Sequence, residues 1–103
     1  MIIIERQIQK VSPGKWAELA EIDPRYDVVE GRLGFPAKKR YQCIMGGHDM
    51  NTIAVERQWD SLAAMEAAYE KALADPEFQA LGAELASIVS SAQIEIYSPL
   101  PSN

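Results

Sequence analysis

Four stretches of the chain alternate apolar and polar residues, and between them apolar residues recur at every third or fourth position. Residues 2–11, opening Ile-Ile-Ile-Glu-Arg-Gln-Ile, read as a β-branched strand that ends at Ser12-Pro13-Gly14. Residues 38–46 and 51–59 read as two more strands. Between them Gly46-Gly47-His48-Asp49-Met50 supplies glycines that permit a reversal, which predicts a hairpin. Gln93–Tyr97 is the last strand, and Ser98–Asn103 is an extended tail. Trp16, Leu19, Ala20 and Ile22 fall at helical spacing, and Ser12 before a proline suits a helix start. Pro24 has no amide proton to give, so that helix is expected to break there, with Asp23 opening a short second piece over 24–30. A second helix, capped by Asp60 or Ser61, carries Leu62, Met65, Tyr69 and Leu73 as its apolar stripe, with alanines raising its propensity. Asp75-Pro76 ends it and starts another piece, where Phe78, Leu81, Leu85 and Ile88 mark the buried side.

The order β-α-β-β-α-β predicts an α+β, ferredoxin-like fold: a four-stranded antiparallel sheet with helices on one face, in a single domain spanning 1–103. An internal echo agrees. Glu-Arg-Gln occurs at 5–7 and again at 56–58, and Asp-Pro at 23–24 and again at 75–76. In this topology the first and third strands, which carry Glu-Arg-Gln, lie side by side at the centre.

Side chains on a strand alternate between faces. Ile4 with Ile8, Tyr41 with Cys43 and Met45, Ile53 with Val55 and Trp59, and Ile94 with Ile96 are assigned to the helix-covered side. The complementary set is Glu5, Gln7, Gln9, Arg40, Gln42, Thr52, Glu56, Gln58, Gln93, Glu95 and Tyr97. Arg6 and Arg57 interrupt this pattern and are expected in structural ion pairs near the rim of the apolar face.

A polar sheet face is either wet or covered by a second copy. Covered, it encloses a polar-lined space in which Glu5 and Glu56 would repel one another and raise a carboxyl pKa, as a general acid or base requires. Glu5, Glu56 and His48 are therefore the candidate catalytic groups, and Gln7, Arg40, Gln42, Gln58 and Tyr97 the candidate ligand contacts. His48 is the sole histidine and is expected on a surface loop.

A net charge of −5 and a pI near 4.8 argue against nucleic acid, because phosphate binding needs a basic surface. The local exception, Lys38-Lys39-Arg40, reads as a solvated strand start. One cysteine, Cys43, forms no intrachain disulfide; it is expected in a buried packing role and points to a reducing, cytoplasmic setting. The apolar start Met1–Ile4 is too short for a signal peptide or a membrane span. No His/Cys cluster offers metal-ligand spacing, and phosphate loops, dinucleotide fingerprints and nucleophile elbows are absent. No metal and no cofactor is expected.

Several motifs carry a family likeness: Glu5 before Ser12-Pro13-Gly14-Lys15, the hairpin Asp49-Met50-Asn51-Thr52, the strand end Glu56-Arg57-Gln58-Trp59, and Asp60–Tyr69 leading to Asp75-Pro76-Glu77-Phe78. Over residues 2–98 the chain resembles the dimeric α/β-barrel superfamily, and within it the NIPSNAP-like proteins. The resemblance implies a homodimer whose two sheets meet face to face as a barrel, with interlocking C-terminal segments. The NIPSNAP-like group has no established general activity. Relatives in the superfamily include cofactor-free monooxygenases, haem-binding or haem-degrading enzymes, small isomerases and decyclases. This chain shows neither a haem-ligand histidine on a helix or strand nor the Asn-Trp-His set of the haem degraders. The expectation is a homodimer that binds a small molecule between sheet and helices or inside the barrel. A cofactor-independent oxygenase or isomerase, and a non-catalytic interaction module, are the alternatives.

Overall fold

The structure, a computed structural model, describes residues 1–101; Ser102 and Asn103 of the expected tail lie outside the described residues. In chain order the elements are β1 (Ile3–Val11), α1 (Trp16–Arg32), β2 (Lys38–Gln42), β3 (Thr52–Trp59), α2 (Leu62–Leu73), α3 (Pro76–Leu85) and β4 (Val89–Tyr97). The strands form one antiparallel sheet in the order β2-β3-β1-β4, so the two strands bearing Glu-Arg-Gln are central neighbours, as the topology demands. Strand β2 stops at Gln42 instead of 46, and β4 begins at Val89, ahead of Gln93.

The helices pack on one face of this sheet. Leu19, Ile22, Tyr26 and Val29 from α1 and Leu81 from α3 bury against Val11, Ile53, Val55 and Val89. Ala68 and Ala72 from α2 bury against Ile3, Phe35 and Trp59, with Met65 and Tyr69 beside them. Phe35 holds this second cluster edge-on, its ring centre 5.2 Å from Trp59 and 4.9 Å from Tyr69. Leu62 and Leu73 of the expected stripe are exposed. They occupy the first and last positions of α2, and the sheet is met by the small residues between them.

The two Asp-Pro dipeptides behave differently. Asp75 caps α3, its Oδ1 accepting the Phe78 amide at 3.0 Å, and Pro76 stands in the first turn where no amide proton is needed. Ser61 caps α2 in the same manner through the Ala64 amide. Pro24, by contrast, lies inside a continuous α1 and breaks nothing. The two buried turns flanking it, Leu19 and Ile22 before and Tyr26 and Val29 after, hold the helix to the sheet across the missing bond. Nor does Ser12 cap α1: its backbone carbonyl accepts the Lys15 amide in a turn through Gly14 at φ +76°, and Lys15 holds the capping position without a side-chain bond.

Register decides the faces, and it overturns part of the sequence assignment. Glu5 pairs with Arg57 and Arg6 with Glu56. In this register the echoed motif is turned over: Glu5 points to the helices while Glu56 points away from them. On β1 the helix side is Ile3, Glu5, Gln7, Gln9 and Val11, so Ile4 and Ile8 lie on the open face. On β2, Arg40 pairs with Val55 and Gln42 with Ile53, which puts both on the helix side and Tyr41 on the open face. The assignments for β3 hold, and on β4 Ile94 and Ile96 pair with Gln7 and Glu5 on the helix side, but the helices leave both exposed; Tyr97 lies on the open face.

Because α1 runs through Pro24 at the expense of one backbone bond, Pro24→Ala should stabilise the protein by about 1–3 kcal/mol. The urea midpoint would rise with the m-value unchanged; a lower midpoint would show that the proline is needed where it stands.

Candidate functional site

Under the helices the inner face of the sheet carries charge. Arg57, Glu5 and Glu30 are all buried. An isolated charge in that environment is costly, so each must be answered by a partner. The Arg57 guanidinium reaches Glu30 of α1 at 2.6 Å and Glu5 of β1 at 3.8 Å, and its Nε donates to the Pro36 carbonyl at 3.0 Å. Glu5 accepts from Trp59 Nε1 at 2.9 Å, from Gln7 Nε2 at 3.1 Å and from the Tyr69 hydroxyl. Lys38 is no solvated strand start; its ammonium is drawn in to Glu30 at 3.1 Å and Asp23 at 3.4 Å, over the Tyr26 ring. Arg40 closes the set by meeting Asp23 at 2.7 Å.

Between this charged floor and the helices lies a cavity of about 110 Å³. Gln7, Gln9, Lys38, Val55 and Arg57 form the floor; Leu19, Ile22, Asp23, Tyr26 and Glu30 of α1, Tyr69 of α2, and Phe78 and Leu85 of α3 form the walls. Burial and the neighbouring Glu5 carboxylate push the Tyr69 phenol far above its ordinary value. Burial, with Glu30 nearby, pushes Tyr26 up to about 12. Both phenols therefore stay protonated near neutral pH and act as hydrogen-bond donors. Tyr69 stands between the Glu5 carboxylate and the cavity.

The sequence-chosen residues divide between the two sides of the sheet. Glu5, Gln7, Arg40 and Gln42 are on the helix side, but only Gln7 lines the cavity; Arg40 is spent on Asp23, and Gln42 donates to the Met50 carbonyl at the hairpin. Glu56, Gln58 and Tyr97 are on the open face. There Glu56 accepts from Arg6 Nε at 2.8 Å, Arg6 lies over the Tyr97 ring, and the Tyr97 hydroxyl donates to Glu95 at 2.6 Å. The expected repulsion between Glu5 and Glu56 does not arise, because each carboxylate faces an arginine across the sheet. His48 is exposed in the hairpin, beside the Lys10–Asp49 pair and remote from the cavity lining. Cys43 is half-buried in the same hairpin instead of packed in the core, and its thiol points at the His48 carbonyl.

The sequence marked none of Tyr26, Tyr69, Glu30 and Asp23 for the site; Tyr69 read as part of an apolar stripe and Asp23 as a helix start. One signal was present: Arg57 sat on the apolar face of its strand, where a charge demands buried partners. Among the described residues no group of three His, Cys, Asp or Glu side chains is arranged to hold a metal ion, and no helix is long and apolar enough to cross a membrane.

No family sequence model matches the chain, and no curated protein matches it in sequence. Solved structures do resemble it. A NIPSNAP family protein from Agrobacterium tumefaciens superposes with a TM-score of 0.81 at 19% identity, covering 97% of this chain and 94% of that one. An uncharacterised NIPSNAP-like domain protein from Burkholderia xenovorans gives 0.80 at 19% identity, over 96% and 85%. SnoaB, a cofactor-independent oxygenase from Streptomyces nogalater, gives 0.72 at 17% identity, over 98% and 95%. At such identities the likeness establishes the fold: this chain has the ferredoxin-like architecture of those proteins.

Glu5→Ala should cost about 3–5 kcal/mol in urea unfolding at pH 7, because it leaves the Arg57 charge, the Trp59 indole and the Tyr69 phenol underpaired in the interior; a loss under 1 kcal/mol would show the network to be dispensable. The tyrosines give a pH signature. Their folded pKa values lie above the unfolded value near 10, so above pH 10 the unfolded chain loses phenolic protons first. Stability should therefore fall as pH rises from about 10 through about 12, and Tyr26→Phe should flatten that slope.

Proposed function

We propose that this chain is a homodimeric small-molecule-binding protein of the NIPSNAP-like group, with its ligand held inside each subunit between sheet and helices. The cavity carries this reading: it joins apolar walls to a few converging polar groups, the usual character of ligand sites. Its volume, about 110 Å³, is close to that of an engineered cavity known to admit benzene, so its occupant is small.

The second subunit belongs on the open face of the sheet. That face is less polar than the alternation predicted, with Ile4, Ile8, Tyr41, Ala54 and Tyr97 around the Arg6–Glu56 pair. Tyr41 and Tyr97 are 49% and 43% exposed. The Arg6–Glu56 pair is matched within one subunit and can be covered without stranding either charge. A lone thiol, at Cys43, supports a reducing and hence cytoplasmic setting.

One observation favours a catalytic second reading, a cofactor-independent oxygenase or isomerase. Tyr69 bonds to Glu5 at the cavity wall, an arrangement that could pass a proton from ligand to carboxylate, and SnoaB has the same fold. On that reading Glu5→Gln and Tyr69→Phe abolish turnover, while Glu56→Gln on the far face leaves it intact.

Sedimentation at micromolar concentration should give a mass of twice 11.4 kDa, falling to a single subunit when Ile8→Glu places an unmatched charge on the open face. A monomeric parent protein would end the dimer proposal. Fragment screening by NMR should return ligands that perturb Gln7, Tyr26 and Tyr69, and Leu19→Trp, which fills the cavity, should remove them. Fragments that bind only elsewhere would refute the cavity reading.

A further inference from the structure

The cavity wall is rich in ionisable groups, and taken singly these would point to a charged ligand. Their pairing points the other way. The three inner cations, Lys38, Arg40 and Arg57, are matched by three inner carboxylates, Glu5, Asp23 and Glu30, through direct contacts. Asp27, more exposed, adds only a longer contact to Lys38 at 3.5 Å. A charged ligand would find no free counter-charge there, and a buried ion without one is strongly disfavoured.

Two polar groups at the cavity remain unengaged by any described residue. Tyr26 and Gln9 are each more than nine-tenths buried and line the cavity. Among the described residues the Tyr26 hydroxyl makes no hydrogen bond, and Gln9, which donates from its amide nitrogen to Gln7 at 3.1 Å, has a carbonyl oxygen that accepts none; both atoms still reach the solvent of the cavity. Around them stand the rings of Phe78 and Tyr69 and the side chains of Ile22 and Leu85. A donor and an acceptor are thus offered within a ring-lined space whose formal charges already cancel.

Resting on the reading of this cavity as a ligand site, we infer that it takes a neutral, single-ring molecule carrying one polar group that both accepts and donates a hydrogen bond, such as a carboxamide. The Tyr26 hydroxyl donates to the ligand's acceptor, and the Gln9 carbonyl receives its donor. Selectivity then comes from exclusion of charge as much as from attraction, since an anion or cation of the same shape would have to break an existing ion pair to gain a partner.

Three near-isosteric probes test this on the full chain by NMR titration at neutral pH: benzamide (neutral), benzoate (anionic) and benzamidine (cationic), with toluene as an apolar reference. Benzamide should perturb cavity residues and bind at least about ten-fold tighter than either charged probe. Tyr26→Phe should weaken benzamide several-fold while leaving toluene unchanged, with the circular dichroism of the variant matching the parent. Benzoate or benzamidine binding in the cavity as tightly as benzamide would overturn the inference while leaving the ligand site itself standing. Equal loss of benzamide and toluene in Tyr26→Phe would overturn the hydrogen-bonding role. Failure of all four probes to perturb the cavity would remove the site and the inference together.

Discussion

Arg57 is the residue around which the interior is organised. It projects from a central strand into the space under the helices, where a guanidinium cannot be left without partners. Glu30 answers it from α1, Glu5 from β1, and the Pro36 carbonyl from the segment before β2. One charge thereby ties the neighbouring strand, the long helix and a connecting segment to the sheet. The network runs on along α1, because Glu30 also holds Lys38, and Lys38 holds Asp23. The cavity occupies the space this network spans.

The opposite face repeats the chemistry in a looser form. Arg6 and Glu56 are cross-strand partners just as Glu5 and Arg57 are, so the duplicated Glu-Arg dipeptides make one ion pair on each side of the sheet. The inner pair is sealed by helices and belongs to a network. The outer pair is partly exposed and sits among isoleucines and tyrosines. On the proposed reading a second subunit covers the outer pair, and a small guest sits beside the inner network. The fold persists in bacterial proteins at under 20% identity, so the architecture tolerates nearly complete replacement of side chains.

Much of the fold was legible in the sequence. Alternation at 2–11 and 51–59, helical spacing through Trp16–Ile22 and Leu62–Leu73, and turn residues at 12–14 and 46–47 are local signals, each dictated by backbone geometry. Their order selects the topology and makes the Glu-Arg-Gln strands neighbours. The sequence also flagged Arg57 as anomalous. Pro24 shows where local reasoning fails: its missing proton is a local fact, but Tyr26 and Val29 keep the helix going by burying against the sheet.

The site was far less legible, and the reason is parity. Which face a strand presents to the helices depends on registration with its neighbour, and a shift of one residue exchanges the faces. The triplet of isoleucines at 2–4 fits either face of β1, and Ile8 between Gln7 and Gln9 pointed the pattern to the wrong one. Pairing with β3 settles it, drawing Glu5 inward to Arg57 and leaving Glu56 outside. Amino-acid order thus determined which segments are strands and helices and how they connect, because those depend on contacts a few residues apart. Which carboxylate is buried, which charges cancel and which polar atoms remain free at the cavity were decided only in three dimensions, where residues such as Glu5, Glu30, Arg57 and Tyr69 meet.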